Sequence, residues 1–356
     1  MQDDGTMAAN IPQVFIDANI MIAAGKPPGG PEITRLADLV EADMIEILTT
    51  DLTITEIAKK HAENDFQVVK DFAKPHVRRV LENVSGTAIP VLSKDEMRER
   101  LLGGYHADVA KMFERLGAKT LSIDDVSPSV VFEDYARGTG FFAGDGKKDQ
   151  FPDAFIFERV KAEASSEKPV IVVTGDGDYV SPAAKTENVE LVGSLAELFT
   201  RLGLEFDQPQ LDEFLEANKD SLISRVNEEL ESWGLMGDVE DSEIDQVSVT
   251  NIEITKLIAF KSVEAGDPVV VVAELEVIAD VSYSHPDWDN ASYDSEDKVL
   301  IPWDTVEGET EVTLSIDVSM SIETDEETGE PTAIEDISFR NDRFQYVVLH
   351  SPEEYR

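Results

Sequence analysis

Val170-Ile171-Val172-Val173-Thr174-Gly175-Asp176-Gly177-Asp178 is a short apolar run that breaks into a glycine-rich acidic turn. So continuous an apolar stretch reads as a strand buried on both faces, the signature of a parallel sheet. Gly175 and Gly177 let the backbone crowd close to a bound group, although turn composition alone also accounts for Gly and Asp there. Val14-Phe15-Ile16-Asp17-Ala18-Asn19 has the same form, three apolar residues followed by an acid. In open α/β sheets the crevice at such strand ends binds ligands.

Working outward, the run Gly25-Lys26-Pro27-Pro28-Gly29-Gly30-Pro31 is a loop, and Pro31 suits the first turn of a helix over residues 32–42. Residues 45–49 read as a second strand. A helix beginning near Thr53 is expected to run through Lys59-Lys60-His61 toward Arg78-Arg79, and residues 93–116 show helical spacing. Residues 127–148 read as irregular. Helix 152–163, strands 170–174 and 190–192 and helix 195–202 complete an alternation that predicts a parallel sheet with helices on both faces.

The second half has another rhythm. Leu211, Phe214, Leu215, Leu222, Val226, Leu230 and Trp233 recur near the helical period. Val312, Leu314, Ile316, Val318, Met320 and Ile322 instead alternate with polar residues, as in a half-exposed antiparallel strand. Further strands are expected over 269–279, 298–302 and 344–349, with residues 325–331 turning a hairpin between Ile322 and Ile334. The predicted organisation is an α/β domain over 11–205 with a helical insertion at about 60–148, a helical connector over 206–240, and an acidic α+β domain rich in antiparallel strands over 241–356.

The formal net charge is −44. Residues 1–205 carry 35 acids and 22 bases, and residues 206–356 carry 39 acids and 8 bases. The second half is thus poorly suited to touch a phosphate backbone and better suited to a basic protein partner. Adaptation of the whole surface to high salt competes as an explanation. The absence of cysteine rules out disulfides and thiolate-bound zinc. No run nears the roughly 18 apolar residues of a membrane helix, and the acidic N-terminus lacks the pattern of a secretory signal, which together predict a cytoplasmic protein without a membrane partner.

Asp17, Glu56, Asp149, Asp153 and Asp176 each end an apolar run or open a helical one. Each has a plain alternative: Asp17 as a turn former, Glu56 as the acid of a Thr53-x-x-Glu56 capping box, Asp153 as a first-turn acid offsetting the helix dipole. Their joint order resembles that of the PIN domain nucleases over residues 11–205. The resemblance implies a three-layer α/β/α fold with a central parallel sheet. It also implies that Asp17, Glu56, Asp153 and Asp176 converge on one or two Mg²⁺ or Mn²⁺ ions that cleave RNA, with Asp149 and Asp178 as additional ligands. Hard cations prefer such carboxylate oxygens.

On the substrate side, Asn19 is placed to orient water or a carboxylate, and Lys147 and Lys148 abut Asp149 as contacts for single-stranded RNA. Phe141-Phe142 offers base stacking or, on the simpler reading, core packing. Two rivals stand beside this endoribonuclease reading. A phosphatase of the haloacid dehalogenase type has a similar last acidic motif, but it needs a second Asp where Asn19 stands. An acidic interaction protein or nucleic-acid mimic would explain the second half alone. A protein partner for that half and homodimerisation both remain open.

Overall fold

The computed structural model describes residues 11–144, 146–206, 210–239, 241–264, 266–288, 290–294, 298–325, 328–340 and 344–349. The chain divides into two compact units between Leu204 and Glu205.

Unit 1 contains β1 (Gln13–Ile16), α1 (Ala18–Ala23), α2 (Pro31–Glu41), β2 (Glu46–Thr50), α3 (Asp51–Val69), α4 (Pro75–Ser85), α5 (Lys94–Arg115) and β3 (Lys119–Leu121). It continues with α6 (Pro128–Arg137), α7 (Phe151–Lys161), β4 (Val170–Val173), α8 (Val180–Ala183), β5 (Val189–Val192) and α9 (Leu195–Arg201). The five strands form one parallel sheet in the order β3-β2-β1-β4-β5. β1 lies at its centre, with Phe15 level with Leu48 on one side and Val172 on the other. Every residue of β1 and β4 is buried, as their apolar sequences require.

Two expectations need correction in this unit, and the simpler reading of Phe141-Phe142 as core holds. The helix from the 50s does not reach Arg79: α3 ends at Val69, a tight turn follows, and α4 restarts at Pro75, which lacks the N–H needed to continue a helix. Residues 127–148 are not wholly irregular, because α6 occupies 128–137 and is closed by Gly138 in the left-handed region. Phe141 and Phe142 are buried in the core, 4.9 Å from Tyr179 and 4.8 Å from Phe151 respectively, so neither is presented for base stacking.

Unit 2 holds β6 (Glu205–Phe206), α10 (Gln210–Ala217), α11 (Lys219–Leu230), β7 (Gly234–Gly237), β8 (Glu243–Phe260), β9 (Val269–Pro286), β10 (Ser292–Asp294), β11 (Val299–Ile301), β12 (Thr305–Thr324), β13 (Pro331–Phe339) and β14 (Phe344–Val347). Its main sheet, β13-β12-β9-β8-β6, is antiparallel throughout, and Ile322 pairs directly with Ile334. Leu211, Leu215, Leu222, Val226 and Leu230 of the two helices bury against Leu275, Val277, Ile316 and their neighbours on the sheet. The side-chain amide oxygen of Asn227 accepts from the backbone of Val249 at 2.7 Å and pins α11 to β8. The exposed face sets acid against acid across the strands: Glu253 opposite Glu276, Asp280 opposite Glu311, and Glu274 opposite Asp317. The pairing of β7 with β14 is parallel, an exception to the antiparallel rule expected here.

Candidate metal centre

The C-terminal edge of the unit 1 sheet gathers the acids because β1 and β4 run in parallel and end side by side. Asp17 leaves β1 in an extended conformation and caps α1, its Oδ1 accepting from Ala18 N at 2.7 Å. Thr174 leaves β4 next to it and donates its hydroxyl to Asp17 Oδ2 at 2.7 Å. The same Thr174 oxygen accepts from Asp176 N at 3.0 Å and, more weakly, from Asn19 Nδ2 at 3.4 Å. Asp176 Oδ1 in turn accepts from Asp178 N at 2.8 Å.

Glu56 arrives by a different route from the expected one. The cap of α3 is Thr50, the last residue of β2, whose side chain accepts from Thr53 N at 2.9 Å. Thr53 is fully buried inside the helix, so no capping box joins it to Glu56. Released from that role, Glu56 projects from the second turn of α3. Asp153 lies in the first turn of α7.

Asp17, Asn19, Glu56, Asp153 and Asp176 line one cleft of about 320 Å³, with Lys59, Lys60 and Glu63 along its α3 side. A larger cavity of about 630 Å³, lined by Glu205, Asp212 and residues 254–259, has no such convergence of carboxylates. Burial raises the Asp17 carboxyl, the hydrogen bonds from Thr174 and Ala18 pull the other way, and Asp176 adds to the rise. Burial and then the charges of Asp153 and Asp17 push Glu56 up to about 7. Burial, Asp17 and Asp176 push Asp153 up to about 6. Burial first, and the neighbouring acids second, thus disfavour the charged form of these carboxylates.

Among the described residues no three His, Cys, Asp or Glu side chains are grouped closely enough to hold a metal ion as they stand. Carboxylate oxygens are nonetheless the donor type Mg²⁺ takes, and that ion keeps several waters and takes one or two carboxylates directly.

The remaining candidates lie further out. Asp149 is exposed at the end of a short turn and does not line the cleft. Asp178 is engaged by Lys147, whose Nζ lies 2.5 and 2.6 Å from its two oxygens, so the two charges answer each other. The side chain of Lys148 lies outside the described residues. Lys60 has no ion-pair partner among the described residues, whereas Lys59 makes a loose pair with Glu63 at 3.9 Å. Thr174 and Tyr179, the ends of Thr174-Gly175-Asp176-Gly177-Asp178-Tyr179, have no role legible from sequence; in the fold Thr174 bonds Asp17 and Tyr179 lies within reach of the acids' charge.

Residues 14–179 match the family model of the PIN domain. Unit 1 is a PIN domain. The match covers just under half of the chain and includes none of unit 2. No curated protein and no solved structure matches the chain. The PIN domain is in general a metal-dependent nuclease fold, and the acid-lined cleft sits within the matched residues. No helix among the described residues is long and apolar enough to cross a membrane.

Proposed function

We propose that the PIN domain of this chain is an endoribonuclease that hydrolyses phosphodiester bonds of single-stranded RNA with Mg²⁺ or Mn²⁺. One observation carries the reading: Asp17, Glu56, Asp153 and Asp176, from four separate elements, line one cleft together with Lys59, Lys60 and a fifth acid, Glu63. Asp17, Glu56, Asp153 and Asp176 are the residues that would hold the ion. Bound there, it would polarise a phosphoryl oxygen and lower the pKa of an attacking water. Thr174 fixes the Asp17 carboxylate in one orientation, and Asn19 stands beside it as a neutral donor. Lys59 and Lys60 give the incoming phosphate chain a positive approach on an otherwise acidic molecule. Asp178, held by Lys147, shapes the turn that carries Asp176.

The phosphatase reading is weaker because Asn19 offers no general acid two residues after Asp17. Incubating the full chain with single-stranded RNA should give cleavage that needs Mg²⁺ or Mn²⁺ and stops with EDTA. Asp17→Asn should lower the rate by more than about 100-fold, beyond the effect typical of an outer-shell partner. Release of phosphate from a small monoester, with RNA left intact, would replace this reading with the phosphatase one.

A further inference from the structure

Tyr179 is fully buried, and its ring stands edge-on to Phe141 and Phe157, with centroids 4.9 and 6.0 Å away. A phenylalanine would fill that space equally well. The hydroxyl is the unexplained part, since it has no hydrogen-bond partner among the described residues. Buried unpaired polar atoms are few in native structures, and each calls for a reason such as a water or ligand position. The hydroxyl lies within electrostatic reach of Asp17, Asp153, Glu56 and Asp176. Asp153 faces it from just outside hydrogen-bond geometry.

The acids differ in how they are held. Asp17 accepts from Thr174 and Ala18, and Asp176 accepts from the backbone of Asp178. Among the described residues Asp153 has only the Tyr179 hydroxyl facing it as a side-chain donor, and the two stop short of full hydrogen-bond geometry. We propose that Tyr179 is the positioning residue for Asp153: with a divalent cation in the cleft, the hydroxyl donates to one carboxylate oxygen and leaves the other facing the cation. Ligating carboxylates are commonly oriented by such an outer hydrogen bond, and its loss weakens metal binding by about 10- to 100-fold. The assignment rests on the metal-site part of the reading above and not on the identity of the nucleic acid.

The test uses the full chain, Mn²⁺ alone and no RNA. Calorimetric titration of Tyr179→Phe should show Mn²⁺ affinity reduced about 10-fold or more, while its melting temperature in EDTA is no lower than that of the unaltered protein. Combined with Asp153→Asn, the same substitution should cost little further affinity, because the two act as one unit. Equal Mn²⁺ affinity in Tyr179→Phe, or an equal loss in both backgrounds, would overturn the assignment while leaving the metal site standing. Failure of the unaltered protein to bind Mn²⁺ would remove the metal site itself, and the assignment with it.

Discussion

Thr174 donates its hydroxyl to Asp17 across 157 residues of sequence, and this contact joins the ends of the two central strands at the point where the acids meet. Thr174→Val keeps the shape of the side chain and removes the donor. Leaving the buried Asp17 oxygen unpaired should destabilise the fold by about 1–3 kcal/mol. RNA cleavage should fall about 10- to 100-fold, as for an outer-shell partner. Thr174→Ser should retain most of both. Chemical denaturation and cleavage rates on the three proteins check this, and full activity in Thr174→Val would show that Asp17 needs no outside partner.

Acidity should tune the metal-free protein. Glu56 is raised from its ordinary 4.5 to about 7, and Asp153 from 3.8 to about 6. The folded chain therefore binds these protons more tightly than the unfolded chain. The stability this confers is complete below the unfolded values and is lost as pH rises through about 6 and then about 7. In EDTA the stability these two groups confer should fall between roughly pH 4 and 7, lowering the melting temperature over that range. Mn²⁺ should restore more at the alkaline end, because ligands must lose their protons before they bind. A flat profile in EDTA would show that neither burial nor the neighbouring acids disfavour these charges in the folded state.

Lys59 and Lys60 stand on the exposed face of α3 at the cleft rim. On an Asp17→Asn background, where RNA stays intact, Lys59→Ala with Lys60→Ala should weaken binding most at low salt. The slope of log affinity against log salt should shrink by about 0.7 for each phosphate that is no longer neutralised. An unaltered slope would move the RNA path elsewhere on the PIN domain.

Gly308 offers a probe of unit 2. A Cβ at this position would meet Tyr283 ring atoms at 2.5 Å, and Tyr283 is the residue paired with it across the strands. Gly308→Ala should cost about 1–3 kcal/mol through overpacking. The cost should appear as loss of antiparallel sheet signal at lower denaturant, with the cleft in the PIN domain unaffected. A neutral substitution would show that the β9–β12 ribbon yields readily at this level.

Legibility in the sequence tracked how regular each element's surroundings are. β1 and β4 were plain because strands buried on both faces must be continuously apolar, and β12 because it alternates without interruption. β8 escaped because three register shifts, beginning between Ile244 and Gln246, break its period of two. α3 was entered three residues late, since Thr50 and Thr53 are equally good cap residues and no loop separates β2 from the helix. Pairing of β7 with β14 left no trace, because the partners lie far apart and both are short. At the site, the order of the acids was visible, while the parts of Thr174 and Tyr179 were not. A hydroxyl inside a turn or a core carries no periodic mark, so its significance appears only with the neighbours in place.

The parallel ribbon of β7 and β14 also bears on the order of events during synthesis. Residues 234–237 stay without their strand partner until residues 344–347 have been made. The PIN domain has all five of its strands by Val192 and can close while the ribosome is still translating unit 2. The main sheet of unit 2 likewise needs β13, at 331–339, which leaves the long β8 and β9 for a time without the complete sheet around them. The acids of those strands, among them Glu253, Glu274, Glu276 and Asp280, are the kind of residue that guards strand edges against wrong pairing in finished proteins.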